Sequence, residues 1–297
     1  MTSFSISQLA QFSGIKPHTI RMWEQRYNAL KPNRSEGNTR YYDNVQLRRL
    51  LNIVSLMKSD YKVSELCLMP DKKLFKLAWE LQNKTVTNEA TEYFVSQLIV
   101  SGISYDEPHF DKIFSHCLLQ YGMKDAYTKV VYPMLARIGL MWASDAILPA
   151  HEHFISNMVR QKLFTAINSL PPAKSVSDSW LLFLPENEFH EIGLLFAHYL
   201  IRLSGGKVIY LGSNVPLQSL TAAIKNTSPR NLLLFLVHND SKEEIQEYLN
   251  GLSVQFNGKN IFAVGNHQFI EQLKTRKEIH WLHSVEDLEQ KLPFINV

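Results

Sequence analysis

Three groups of residues in this 297-residue sequence carry side chains that could do chemistry. The first lies in Pro185-Glu186-Asn187-Glu188-Phe189-His190-Glu191-Ile192-Gly193. Glu188 can hold one imidazole nitrogen of His190, which leaves the other as a metal ligand. Gly193 would let backbone or a bound group come close. Taken alone, such a loop histidine also reads as a surface residue. The second group is Trp142 followed, after nine residues, by Glu152-His153. It combines an apolar indole face, a hydrogen-bond acceptor and a second imidazole. It also reads as an interfacial tryptophan beside helix-capping polar residues. The third group is His18, Thr19, Arg21 and Met22, then Arg34, Arg40 and Tyr41. An arginine such as Arg21 can bind guanine bidentately or hold a phosphate. Cys67 and Cys117 are isolated and provide neither a disulfide framework nor a zinc site. No catalytic residues are expected.

The elements that must position these groups change along the chain. Ser5-Ile6-Ser7-Gln8 has the capping-box form and should open a first helix, which Gly14 ends. Pro17 suits the first turn of a second helix. Ile20, Trp23 and Tyr27 would face its core, leaving His18, Thr19, Arg21 and Met22 toward the exposed side near the helix start. Lys31–Asn38 interrupts the helices as a turn, and Gly37–Tyr42 reads as a short hairpin, a wing able to lie along phosphates. Asn83–Asn88 looks like a linker. From Glu89 to Leu170 the pattern is helical, with Ile155, Val159, Leu163 and Ile167 forming one apolar stripe. Trp142 should end one helix of this bundle, and Pro149 should open the next with Glu152 and His153 in its first turn. Beyond Pro171-Pro172 the period changes. Strand-length runs at Trp180–Leu184, Lys207–Leu211, Asn231–Val237 and Asn260–Val264 alternate with amphipathic stretches, as in a parallel sheet wound with helices. His190 follows the first of these strands, where open α/β sheets bind ligands. Ser204-Gly205-Gly206 reads as a helix-ending turn. The expected divisions are a helix-turn-helix head over 1–75, a bundle over 88–170 and a parallel-sheet domain over 178–297.

Composition is that of ordinary globular protein, with 45% hydrophobic and 20% charged residues. The net charge of +3 is unevenly placed. Residues 1–62 hold ten basic and four acidic side chains, so the head is +6 and the remainder −3. A basic head on a near-neutral body suits nucleic acid. With no signal pattern and no long apolar run, the expectation is a cytoplasmic protein without a membrane span.

The head resembles a known family. Ile6, Leu9-Ala10, Gly14, Thr19-Ile20-Arg21-Met22-Trp23-Glu24, Leu30, Pro32 and Arg40-Tyr41-Tyr42 look like the MerR family of winged-helix regulators, through Val63-Ser64-Glu65-Leu66. The resemblance implies a winged helix-turn-helix that binds double-stranded operator DNA.

Glu188-x-His190-x-x-Gly193 is similar to the cobalamin-binding loop of corrinoid proteins. There the histidine lies beneath cobalt in place of the cofactor's own base. Trp142-x9-Glu152-His153 looks like the pattern of light-responsive CarH-type regulators, which join a MerR head, a helical bundle and a Rossmann-like cobalamin-binding domain. That resemblance implies adenosylcobalamin docked between bundle and α/β domain. His190 would be the lower cobalt ligand, Trp142 and Glu152 would surround the adenosyl group, and His153 would take the upper position after light removes it. Gly212 and Gly265 complete the implied cofactor set. A homo-oligomer, dimer or tetramer, and a repressor are implied as well. Two positions depart from the corrinoid pattern: Leu236-Val237-His238 stands where a Ser-x-Leu is usual, and Gly265-Asn266 where Gly-Gly is. A second reading therefore keeps the DNA-binding head and gives the α/β domain a protein partner or another small ligand. A corrinoid enzyme has no room for a catalytic barrel of about 250 residues beside these domains.

Overall fold

The computed structural model describes residues 4–34, 37–57, 61–74, 76–77, 88–143, 147–173, 175–237, 242–265, 273 and 279–292. They divide into two compact units, Met1–Met158 and Val159–Val297. Asn83–Asn88 lies outside the described residues except for Asn88, which opens a helix.

The first unit begins with the capping box the sequence announces. Ser5 Oγ accepts from the Gln8 amide at 3.2 Å, and Gln8 Oε1 accepts from the Ser5 amide at 2.8 Å. Helix α1 (Ile6–Ser13) ends at Gly14, whose φ of 70° is the left-handed conformation glycine adopts at little cost. Helix α2 (Pro17–Tyr27) starts on its proline and ends at Asn28, also left-handed. Ile20 and Trp23 are buried, while Tyr27 is half-buried. The wing pairs β1 (Asn33–Arg34) with β2 (Arg40–Tyr41) in antiparallel register. Its first strand thus lies in the segment expected to be only a turn, and the hairpin is wider than Gly37–Tyr42. Helix α3 (Asn44–Leu56) is capped by Asp43, which accepts from the Gln46 amide at 2.9 Å. Helix α4 (Val63–Leu68) is tied to it by Arg49, whose guanidinium donates to the carbonyls of Ala29, Cys67 and Met69.

The bundle consists of α5 (Asn88–Ile103), α6 (Glu107–Ala126), a π-helical turn at Tyr127–Val131, α7 (Tyr132–Ala143) and α8 (Pro149–Ser169). Gly122, at φ 70°, breaks the regularity of α6. Tyr93, Phe94, Leu98, Phe110, Phe114 and Ile138 fill the core. Ile155, Val159, Leu163 and Ile167 are all buried, Ile155 in the first unit and the other three in the second, so the bundle expected over 88–170 is divided within α8. A methyl group on Gly102 would stand 2.2 Å from Ile155 Cγ1, so α5 and α8 touch almost backbone to side chain there.

The second unit is a five-stranded parallel sheet in the order β4-β3-β5-β6-β7. Its strands are β3 (Ser175–Pro185), β4 (Gly206–Val215), β5 (Asn231–Leu236), β6 (Asn260–Gly265) and β7 (Ile279–Trp281). Helices α9 (Ile192–Leu203), α10 (Leu217–Thr227), α11 (Lys242–Gln255) and α12 (Val285–Glu289) connect or follow them. One core gathers Leu181, Phe183, Leu232, Leu234, Ile261 and Ala263 of the sheet with Leu220, Ile224 and Leu249 of α10 and α11. The alternate side chains of β3 and β6 point to the other face, where Trp180 stacks on Phe262 at 5.0 Å. Gly205, at φ 82°, lies in the turn that ends α9. β3 lies between β4 and β5, so its following loop stands where the strand order reverses, the crevice open α/β sheets use for ligands.

Candidate functional site

Glu188 is buried, at 3% exposure, although it sits in a loop. A carboxylate removed from water must have its oxygens satisfied. Oε1 accepts from the His190 ring at 2.7 Å and from the amides of Phe189 and His190 at 2.9 and 3.0 Å. Oε2 accepts from the Val237 amide just past β5, at 2.8 Å. The carboxylate therefore fixes the His190 ring with Nδ1 as donor and Nε2 as the lone-pair nitrogen. The His190 side chain itself is 62% exposed. A clamped imidazole that still faces outward is the donor arrangement a metal-bound cofactor needs, so these residues fit a corrin held from below.

The clamp has supports that the sequence did not reveal. Asn187 and Asn214 both adopt positive φ, a conformation asparagine tolerates. The Asn187 amide donates to the Asn214 side chain at 2.9 Å, and the Asn214 amide donates to the Glu188 carbonyl at 3.0 Å. Glu191, next to the histidine, pairs with Arg160 at 2.9 Å and accepts from the Tyr210 hydroxyl at 3.3 Å. Burial, and then the nearby Glu191 carboxylate, push the Tyr210 phenol well above its ordinary range. An asparagine just past β3 and another in the last two residues of β4 were the available signal for the brace. Arg160, Glu191 and Tyr210 come from three elements and carried none.

The glycines divide by role. A Cβ on Gly193 would lie 2.7 Å from the Phe235 ring, so the close approach there is α9 against β5. Gly212 has φ 80° near the end of β4, with Tyr210 and the Glu191 carboxylate as its nearest neighbours. Gly265 ends β6 opposite Leu236, whose carbonyl would stand 3.2 Å from an added Cβ. Val237, the residue after Leu236, closes the Glu188 clamp with its amide. Of the departures from the corrinoid pattern, Leu236 ends β5 and is half-buried, while His238 and Asn266 lie outside the described residues.

Trp142 occupies the last turn of α7 and is 53% exposed. Glu152 stands in the first turn of α8 and accepts from the Ser156 hydroxyl. Its other oxygen lies 3.0 Å from Nδ1 of the exposed His153. His151, one residue earlier, is buried, and its Nδ1 accepts from the Leu148 amide at 3.1 Å, capping α8. Burial lowers its pKa. Among the described residues, no group of three or more His, Cys, Asp or Glu could by itself enclose a metal ion.

On the head, His18, Arg21, Met22, Arg34 and Tyr41 are exposed and Thr19 is half-buried. Arg34 donates to the Asn38 side chain across the wing. Arg40, expected at the phosphates, is half-buried on the wing. It lies 3.4 Å from the nearly buried Glu24 carboxylate of α2, which also accepts from the Tyr42 hydroxyl. Burial and this bond raise the Tyr42 pKa. Arg40 thus holds the wing onto α2.

Residues 4–68 match the family described as MerR HTH family regulatory protein, and residues 95–166 match that described as B12 binding domain. The HTH-type transcriptional repressor CarH of Myxococcus xanthus is 27% identical over 253 residues, 84% of each chain. The repressor CarA of the same organism is 25% identical over 276 residues, covering 88% of this chain and 90% of that one. In fold, the monomethylamine corrinoid protein of Methanosarcina barkeri aligns with a TM-score of 0.53 at 13% identity, over 68% of this chain and 99% of that one. Among the described residues, no helix is long and apolar enough to cross a membrane. A MerR-type helix-turn-helix head and a B12-binding domain thus stand in one chain built like CarH and CarA, and the protein is a cobalamin-sensing, DNA-binding transcription regulator.

Proposed function

We propose that the protein is a repressor whose grip on operator DNA is set by adenosylcobalamin and by light. The observation that carries the reading is the clamp in which buried Glu188 orients exposed His190. His190 would hold the cofactor through Nε2. When bound, the cofactor supplies a cobalt–carbon bond that light breaks. Trp142 offers its indole face to the adenosyl group, and Glu152 accepts hydrogen bonds from it. His153 would be the residue placed to offer a nitrogen ligand once that group is gone. His153 first has to leave the Glu152 carboxylate that engages its Nδ1, or coordinate through Nε2. On the head, His18, Thr19, Arg21 and Met22 face the major groove, while Arg34 and Tyr41 run along the backbone.

The test is an absorbance titration of the full chain with adenosylcobalamin in the dark, then under light, beside His190→Ala. A protein-nitrogen spectrum that the variant lacks is expected. An α/β domain that takes up no cobalamin would overturn the reading and favour a protein partner or another small ligand.

A further inference from the structure

The residues assigned above to the cofactor's upper face open α8, and the DNA-reading head ends in α3 and α4. Within the first unit a short junction touches both. Ser104, Tyr105 and Asp106 connect α5 to α6. Tyr105 has φ 54°, a left-handed conformation costly for an aromatic residue, so its placement is imposed by its surroundings. Its ring stacks on His151 at 5.0 Å and meets Phe154 edge-on at 5.3 Å. These two residues flank Glu152 and His153 in the chain. The last turn of α5 is equally tight against α8, because Gly102 has no room for a methyl group beside Ile155.

The next residue faces the other way. Asp106 caps α6 by accepting from the His109 amide at 3.2 Å. Its second oxygen accepts from the Arg48 guanidinium of α3 at 2.9 Å. A parallel polar contact runs through the interior: Gln97 of α5 donates to Asn52 of α3 at 3.1 Å, and its carbonyl oxygen lies 3.3 Å from the His109 ring. Both amides are buried, so neither can lose its partner without an unsatisfied polar group.

We infer that the Tyr105–Asp106 junction is the lever by which the cofactor's upper face sets the orientation of the DNA-binding head. The inference rests on the proposed assignment of Glu152 and His153. Any shift of the first turn of α8 displaces His151 and Phe154. The Tyr105 ring cannot stay stacked on both, and its backbone is joined directly to the Asp106 carboxylate that holds Arg48. The Asn52–Gln97 pair gives α3 a second fixed point about which to turn. This regulation acts within one chain and is separate from any change of assembly state.

Two substitutions cut the lever while sparing the local fold. Tyr105→Asn keeps a residue that tolerates positive φ but removes the stack. Asp106→Asn keeps the helix cap but removes the charge facing Arg48. The readout is hydrogen exchange of the α3 amides Leu50 to Ile53 in the full chain, with adenosylcobalamin, dark and lit. Wild type should change exchange there on illumination. Both variants should bind the cofactor with unchanged spectra and lose that response. A response equal to wild type in both variants would overturn the inference. A cofactor-free arm separates this from the cofactor reading. Tyr105→Asn alone should raise exchange at Leu50 to Ile53 by about threefold or more, the size of an ordinary coupling between packed elements. Unchanged exchange in that arm overturns the lever whatever cobalamin does. Failure of wild type to take up cobalamin overturns the cofactor reading and leaves the cofactor-free arm to decide the lever.

Discussion

Each oxygen of Glu188 has work in the His190 clamp, and this makes the pair separable by mutation. His190→Ala should abolish protein-nitrogen ligation and weaken cobalamin retention, read by absorbance and by equilibrium dialysis. Glu188→Gln should do something different. An amide presents one oxygen instead of two, so either the ring or the Val237 amide loses its acceptor. Loss of such an outer partner costs metal affinity about 10–100-fold, and that weakening with a retained histidine spectrum is the expected result. The two arginines of the head separate in the same way. Arg21→Ala should weaken DNA binding and reduce its salt dependence, as removal of a phosphate or base contact does. Arg40→Ala should weaken binding with the salt slope nearly unchanged, because it strips Glu24 of its partner and frees the wing. Fluorescence anisotropy across a salt series distinguishes them, and a slope lowered equally in both variants would return Arg40 to the phosphates. The clamp was legible in the sequence because its two residues are neighbours. The Arg40–Glu24 pair was not, since fifteen residues, most of the wing among them, lie between the two.

Elements followed the sequence wherever a local rule governs them. The capping box, the Gly14 stop and the Pro17 start stand where their chemistry puts them. The four expected strands are all present in one parallel sheet. What the sequence left out depends on partners distant in the chain. β7 has only three residues and exists because β6 offers it an edge. The first strand of the wing was read as a turn because two residues carry no period. The closeness of α5 and α8 was likewise invisible, since Gly102 is one glycine in an otherwise regular helix. Gly102→Ala should force Ile155 out of place and cost about 1–3 kcal/mol, measurable by chemical denaturation. On α9, His198 stacks on Tyr210 at 5.2 Å, and its buried Nδ1 has no hydrogen-bond partner among the described residues. Burial, then Arg202, lowers its pKa from 6.5 to about 4. The unfolded chain therefore takes up this proton first as the pH drops. Stability from this site is complete above pH 6.5 and is lost as pH falls from 6.5 toward about 4. His198→Phe should flatten that part of a melting-temperature profile.

At the scale of the whole molecule, the proposed upper-face residues belong to the first unit and the His190 clamp to the second. On the proposed reading, the adenosyl-bound protein and its photolysed form would present different surfaces to a neighbouring copy. Adenosylcobalamin in the dark should favour a larger, DNA-competent oligomer, because linking heads on adjacent operator sites raises their effective concentration. Light should dissociate it. Size-exclusion chromatography with and without illumination reads this directly, and an elution volume indifferent to both cofactor and light would remove the assembly switch while leaving DNA binding in place. The order of the two units along the chain also has a consequence during synthesis. The first unit is mostly helical, and helices form from nearby residues, whereas the parallel sheet must wait for strands separated by whole helices. Translation at about 5–20 residues per second leaves the ribosome-bound chain with its head and most of its bundle for on the order of ten seconds before residues 159–297 are complete. A newly made head can therefore meet DNA before the histidine that would report on vitamin and daylight has been built.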